Sequence, residues 1–252
     1  MTDKTSLGDR MKGYEAASKS VLPGRLPIII RVDGKAFHTY TKGLKKGEGV
    51  AYDKNLEQVM NLVALKLCDE IQGAQVAYVQ SDEISILVHG YKKLTSQGWF
   101  NNELIKVVSV SAGIASATFT EKSHLIWNYI KPAIFDSRAF VVPENDVCNY
   151  FIWRQQDATR NSIQMLARAL YSHKECHLKN GSQLQEMTFQ KGRNWNNEPT
   201  SFKRGRCVVR VPDEFVTPKG VKVSRMRWAV DDEIPVFSQD RDYINRHLEV
   251  EE

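Results

Sequence analysis

Cysteine is scarce and unpaired in this sequence of 252 residues: Cys68, Cys148, Cys176 and Cys207 are scattered, with no Cys-x-x-Cys pair. That excludes a disulfide framework and fits reduced thiols, buried as small apolar side chains, in a cytoplasmic protein. Long hydrophobic runs are missing as well. The longest block is Ile28-Ile29-Ile30 with its neighbours, far short of the roughly 20 residues of a membrane span. Met1 to Arg10 is polar and carries acids, unlike a signal peptide. The expectation is therefore no membrane partner. Internal repeats and low-complexity tracts are absent, and so are a Gly-x-Ser-x-Gly elbow, a Walker-type loop and a Rossmann fingerprint. An excess of one charge is nearly absent too. Thirty-five Lys and Arg against 30 Asp and Glu give +5, which allows a nucleic-acid partner without requiring one.

What is present is an ordinary core-forming composition, 42% hydrophobic, enough for one large domain or a domain with an appended lobe. The cations cluster: Lys42, Lys45 and Lys46; Lys203, Arg204 and Arg206; Lys219, Lys222, Arg225 and Arg227. Such clusters suit a phosphate-backbone footprint or a solvated face equally. Leu26 to Val32 is a short apolar, β-branched run that stops at Asp33-Gly34, the pattern of a buried strand. A helix follows, with Leu56, Val59, Met60, Val63, Leu67 and Ile71 on one face and Gly73 as its stop. Ala74 to Gln80 and Ile84 to Val88 form a hairpin around Ser81-Asp82-Glu83. Trp99 to Thr118 is helical and rich in small residues, and Ala139 to Val142 is a strand ended by Pro143. The order strand, helix, strand, strand, helix, strand predicts a ferredoxin-like α+β sandwich. Residues 1–145 form this core. Residues 146–252 are an appended portion, helical from Asp146 to Tyr171 and then loop-rich and basic, with short strands such as Cys207 to Val211.

Two acidic turns carry the candidate chemistry. In a ferredoxin-like sheet the first strand neighbours the central hairpin, so Asp33 and Asp82 can converge there. Converging carboxylates raise each other's pKa and call for a cation. Mg²⁺ takes one or two carboxylates with phosphate oxygens and water, and a pair of such ions can stabilise both oxygens of a phosphoryl displacement. Gly34 lets the backbone approach a metal or phosphate closely. Lys35, Ala36, Phe37 and His38 offer successive N–H groups for an anion nest, and Phe37 is either a base-stacking ring or a core aromatic. Arg31 and Lys106 are candidate triphosphate cations. Each acidic turn alone is also an ordinary turn sequence. His173 and His177 beside Cys176 have zinc-ligand spacing, but no second pair completes four ligands, so surface histidines are expected.

The segment Arg31-Val-Asp-Gly-Lys-Ala-Phe-His38, followed by Tyr78-Val-Gln-Ser-Asp-Glu83, resembles the tRNA-histidine guanylyltransferase family and its bacterial and archaeal relatives, the 3′–5′ polymerases. Phe151-Ile-Trp-Arg-Gln-Gln-Asp157 and Asn194-Trp-Asn-Asn-Glu-Pro199, with Lys203-Arg-Gly205, continue the likeness over roughly residues 10 to 212. The resemblance implies a polymerase-palm-like fold. It implies two Mg²⁺ ions on Asp33, Asp82 and the Gly34 carbonyl, with Glu83 supporting the site. Asp33 to His38 with Ser81 and Asp82 would bind the nucleotide, and Arg31, Lys106 and Lys46 would contact triphosphate. It further implies ATP and GTP or another NTP as substrates, tRNA as the partner, and a homotetramer built as a dimer of dimers. In the family the 3′-OH of an incoming NTP attacks an activated tRNA 5′ end. Thr159-Arg-Asn-Ser-Ile-Gln-Met165 stands where eukaryotic members carry His-Ile-Asn-Asn-Leu-Tyr-Asn, with Asn161 the good match. That departure favours relatives that repair truncated tRNA 5′ ends by templated addition, where base pairing supplies specificity. A palm-fold nucleotide cyclase acting on free NTP is the alternative, and a non-catalytic RNA-binding module is a third reading that leaves Asp33 and Asp82 without purpose.

Overall fold

A computed structural model of the chain describes residues 6–43, 51–90, 95–128, 131–216, 220 and 222–249. It begins with a helix not expected from the sequence, α1 (Leu7–Ala17), capped by Ser6 and with no buried side chain. The expected alternation then follows: β1 (Ile28–Gly34), the one-turn α2 (Phe37–Tyr40), α3 (Lys54–Glu70), β2 (Ala74–Gln80), β3 (Glu83–Val88), α4 (Leu104–Trp127) and β4 (Phe135–Val141). Beyond them come α5 (Glu144–Leu170), α6 (His173–Cys176), α7 (Gly181–Gln190), α8 (Thr200–Arg204), β5 (Arg206–Val216), β6 (Lys222–Asp231) and α9 (Asp242–Asn245). One antiparallel sheet holds all six strands in the order β4-β1-β3-β2-β5-β6.

Successive residues of a strand point to opposite faces, and β1 is buried on both. Ile28, Ile30 and Val32 join a core with Val59, Val63 and Leu67 of α3 and Val107, Ala115 and Phe119 of α4. Ile29 joins a second core with Tyr78, Leu87 and Val147, Phe151 and Ala158 of α5. Burying each large apolar side chain stabilises by about 1.5–3 kcal/mol, so α5 holds its face of the sheet as α3 and α4 hold theirs. Asp53 caps α3, its carboxylate accepting from the N–H groups of Asn55 and Leu56 at 2.8 and 3.3 Å.

The small residues of α4 serve the sheet. Ser111 Oγ meets Ser137 Oγ at 2.8 Å, Ser116 Oγ accepts from the Phe135 N–H at 3.0 Å, and Thr120 Oγ1 accepts from Ala133 N–H at 3.0 Å. No long apolar segment is expected from the sequence. By length and composition alone α4 would suffice to cross a membrane, but its Val107, Ala115 and Phe119 are buried in the core beneath the sheet.

Residues 146–252 continue the core's own sheet. The boundary at 145 falls in the first turn of α5, and the expected short strands are an eleven-residue β5 and a ten-residue β6. β5 pairs with β2 through Tyr78↔Cys207. Gly205 makes that junction possible: its φ is +80°, and a Cβ there would lie 2.7 Å from the Tyr78 hydroxyl and the Val79 carbonyl. The Tyr78 hydroxyl donates to the Arg204 carbonyl at 2.7 Å.

Candidate active site

Alternation along β1 places Arg31 and Asp33 on the face that carries Ile29, the α5 side. On β3, Ser85 and Glu83 stand opposite them, in the pairs Arg31↔Ser85 and Asp33↔Glu83. On β4 the partners are Arg138 and Asp136. The apolar half of this face thus lies under α5, and the polar half gathers at the end where β1 finishes and β3 begins.

Asp82 arrives from a two-residue turn. Gln80 pairs with Glu83, leaving Ser81, at φ +46°, and Asp82 between them. The Asp82 carbonyl accepts the Gly34 N–H at 3.1 Å, which fastens the hairpin to the end of β1. Asp33 and Asp82 therefore meet, as expected from the two acidic turns. Burial pushes the Asp82 carboxyl up to about 6; the charges of Asp33 and Glu83 add to this, and a hydrogen bond from Ser81 opposes it.

A cation would relieve this pair. Among the described residues no group of three or more His, Cys, Asp and Glu side chains is gathered for a metal, so a closed protein cage is absent there. Two carboxylates with outside oxygens are instead a donor set of the kind Mg²⁺ takes when it arrives with a nucleotide. His173 and His177 stack at 6.2 Å and form no such group with Cys176.

Glu83 is occupied by arginine. Its two oxygens accept from Arg154 Nε at 2.7 Å and Nη2 at 2.8 Å, and Arg31 Nε lies 3.3 Å away. Arg31 Nη2 also reaches Asp33 at 3.4 Å. Arg154 is buried, lies over the Trp153 ring at 4.4 Å and donates to Asp157 at 3.0 Å. Arg31 thus faces carboxylates, and Glu83 holds two arginines in place beside the aspartate pair.

The loop after β1 takes a more specific form than the expected nest. Lys35 N–H is spent on the Ile134 carbonyl at 2.8 Å. Ala36 is left-handed at φ 54°, and no side chain caps α2. Phe37 is a core aromatic, 4% exposed and packed on Tyr40, Phe119 and Phe135, so base stacking by its ring is ruled out. Gly34 has to be glycine for the same reason: a Cβ would stand 2.3 Å from the Phe37 ring. Lys35 and His38 are exposed.

Lys106 is not brought to this cluster. Phe135 stands opposite Gly34 and is held by Ser116. Lys106 lies ten residues before Ser116, roughly 15 Å back along the helix, and pairs with Glu103 at 3.1 Å. α4 starts at the far end of the sheet, which sequence spacing could not reveal. Lys46 lies outside the described residues.

A cleft of about 80 Å³ opens beside Asp82, lined by Ser81, Gln80, Tyr52, Asp53, Asn161 and Phe202 among others. Tyr52 stacks on Phe202 at 4.7 Å. Of these residues the sequence motifs pointed to Gln80, Ser81 and Asn161. Tyr52 and Phe202 carry no local signal, and Arg154, 71 residues from Glu83, was visible only as part of the Phe151 to Asp157 motif.

Known proteins share this fold. A bacterial tRNA(His) guanylyltransferase-like protein solved in complex with ATP is similar with a TM-score of 0.87 and 44% identity, over 98% of this chain and 100% of that one. A structure of such a bacterial protein in complex with GTP is similar with a TM-score of 0.79 and 41% identity, over 97% of this chain and 99% of that one. The tRNA(His) guanylyltransferase of Debaryomyces hansenii is 29% identical over 207 residues, covering 74% of each chain. A family model for tRNAHis guanylyltransferase matches residues 8–143, more than half of the sequence. The chain, with its paired aspartates at the sheet end, belongs to the tRNAHis guanylyltransferase family of nucleotidyltransferases.

Proposed function

We propose that this protein adds nucleotides to the 5′ end of tRNA in the 3′–5′ direction, copying the opposite strand, by two-metal nucleotidyl transfer. The observation that carries the reading is the meeting of Asp33 and Asp82 at the sheet end, with Asp82 pushed up to about 6 by burial and by its neighbour's charge. The order β4-β1-β3-β2 with two helices on one face is that of a ferredoxin-like sandwich, and we take it as a polymerase palm. Residues 1–145 supply the palm, and residues 146–252 supply α5, the outer strands and the surface toward tRNA.

Asp33, Asp82 and the Gly34 carbonyl would hold two Mg²⁺ ions, which when bound neutralise phosphate charge and sharpen the attacking hydroxyl. The protein's own part is positioning. Phosphoryl transfer asks chiefly for alignment and charge balance. The Gly34–Asp82 backbone bond fixes the spacing of the two carboxylates, and Arg154 fixes Glu83 behind them. The ATP and GTP bound by the bacterial relatives point to the same nucleotides here, entering along the Ser81 cleft with phosphates toward Ala36 to His38. A homotetramer, dimer of dimers, follows from the family likeness, and in it Lys106 would have to serve a neighbour's site or none.

The test is a 5′-monophosphorylated tRNA lacking its first nucleotide, incubated with protein, Mg²⁺, ATP and GTP and resolved by length. Extension by the wild type and its loss in Asp82→Ala supports the reading. No extension, even on a 5′-triphosphate RNA, overturns it and turns attention to cyclisation of free ATP or GTP.

A further inference from the structure

α5 separates two recesses. Its Ala158, Asn161 and Ser162 side lines the cleft beside Asp82. Its Gln156, Thr159 and Arg160 side lines a larger cavity of about 490 Å³, closed by Trp195, Lys203 and Arg204. No acidic residue is among the residues lining this second cavity, and three cations are. Lys203 lies over the Trp195 ring at 5.7 Å and donates to the Asn196 carbonyl at 2.6 Å. The Arg160 side chain is 58% exposed, and Asp157, shared with Arg154, is 2.9 Å from its guanidinium. An exposed arginine and two half-buried cations beside an aromatic plane and neutral amides are the elements of a nucleic-acid backbone site.

A second observation ties this cavity to the active site. Ion pairs run without a break from Asp33 to Arg31 at 3.4 Å, Arg31 to Glu83 at 3.3 Å, Glu83 to Arg154 at 2.7 Å, Arg154 to Asp157 at 3.0 Å and Asp157 to Arg160 at 2.9 Å. The last member of that chain lines the cavity. Arg160 thus belongs both to the cavity and to the ion-pair chain that begins at Asp33.

We propose that this cavity binds a phosphodiester of the RNA substrate, through Arg160, Lys203 and Arg204, and so holds the RNA while its 5′ end lies at Asp82; this rests on the tRNA reading above. The same cations would also accept the triphosphate of a free nucleotide, and the experiment separates the two sources. Anisotropy of a 3′-labelled tRNA lacking its first nucleotide gives RNA affinity over a range of salt, and equilibrium dialysis with Mg²⁺ gives GTP affinity. The double variant Arg160→Gln/Arg204→Gln should bind the RNA about tenfold more weakly, with the salt slope reduced by about one to two and GTP binding unchanged. Arg160→Lys/Arg204→Lys should restore most of the slope, since phosphate contact needs charge. RNA affinity and slope equal to wild type in the glutamine variant would overturn the proposal, as would a lysine variant as weak as the glutamine one. Loss of GTP binding in step with RNA binding would reassign the cavity to the nucleotide. Failure of the wild type to extend any tRNA would sink the tRNA reading itself, whatever the binding data.

Discussion

At the scale of single residues, function and stability pull in opposite directions at Asp82. Its carboxyl titrates near 6 in the folded chain against 3.8 for the unperturbed group, chiefly because it is buried. Between those values the unfolded chain is ionised and the folded one is not, so stability falls as pH rises from about 4 to about 6 and stays reduced above it. The cost is about 3 kcal/mol at most, from 1.36 kcal/mol per pKa unit. Asp82→Asn should therefore abolish nucleotide addition while stabilising the metal-free protein at pH 7.5 by about 1–3 kcal/mol, measurable by urea unfolding in the presence of a chelator. An Asp82→Asn variant no more stable than wild type would refute the strain assigned to this carboxyl. His247 gives the opposite slope. Burial, helped by Arg246 and His89, lowers its pKa from 6.5 to about 4. The unfolded chain binds the proton first, so stability is lost as pH falls from about 6.5 toward 4, by up to about 3 kcal/mol. His247→Gln should flatten unfolding free energy over that window, and an unchanged slope would contradict it.

At the scale of elements, a buried ion pair between Glu83 and Arg154 joins α5 to the β2–β3 hairpin beside their shared apolar core. Arg154→Met leaves Glu83 buried and facing Arg31 alone, and should destabilise by about 3–5 kcal/mol. Because Glu83 flanks the aspartates, the same change should lower nucleotide addition about 10–100-fold by loosening the support of the carboxylates proposed to hold Mg²⁺. Glu83→Gln combined with Arg154→Met should recover much of the lost stability, since no unpaired charge remains, without recovering activity. A double-mutant cycle by chemical denaturation reads this directly; strict additivity of the two changes would deny the coupling. This pair also marks the limit of what the sequence could tell. Asp33-Gly34 and the Ser81-Asp82 turn are local chemistry and were legible, as was the periodicity of α3. The Glu83–Arg154 bond joins positions 71 residues apart and has no local signature. β6 was hidden for another reason: most of its side chains are exposed or only partly covered, so it lacks the apolar alternation by which a strand is recognised. Lys106 shows a further limit: spacing did not reveal that its helix begins at the end of the sheet away from Asp33.

At the scale of the whole molecule, the six-stranded sheet runs from the expected core into the appended portion through β2 and β5. α3 and α4 back one face, α5 backs the other, and the paired aspartates emerge where α5 leaves its face uncovered. The C-terminal half supplies Arg154 behind Glu83, Asn161 and Phe202 in the cleft beside Asp82, and β5 against β2. The central claim is that Asp33 and Asp82 serve a templated addition to a tRNA 5′ end. The most direct measurement uses two tRNAs missing the first nucleotide and differing only in the opposing base, C in one and A in the other, each given all four NTPs with Mg²⁺. The added nucleotide is then identified by mass. Addition of G opposite C and of U opposite A, both lost in Asp82→Asn, is the predicted result. Addition of G to both RNAs would contradict templating, and addition that survives in Asp82→Asn would contradict the site.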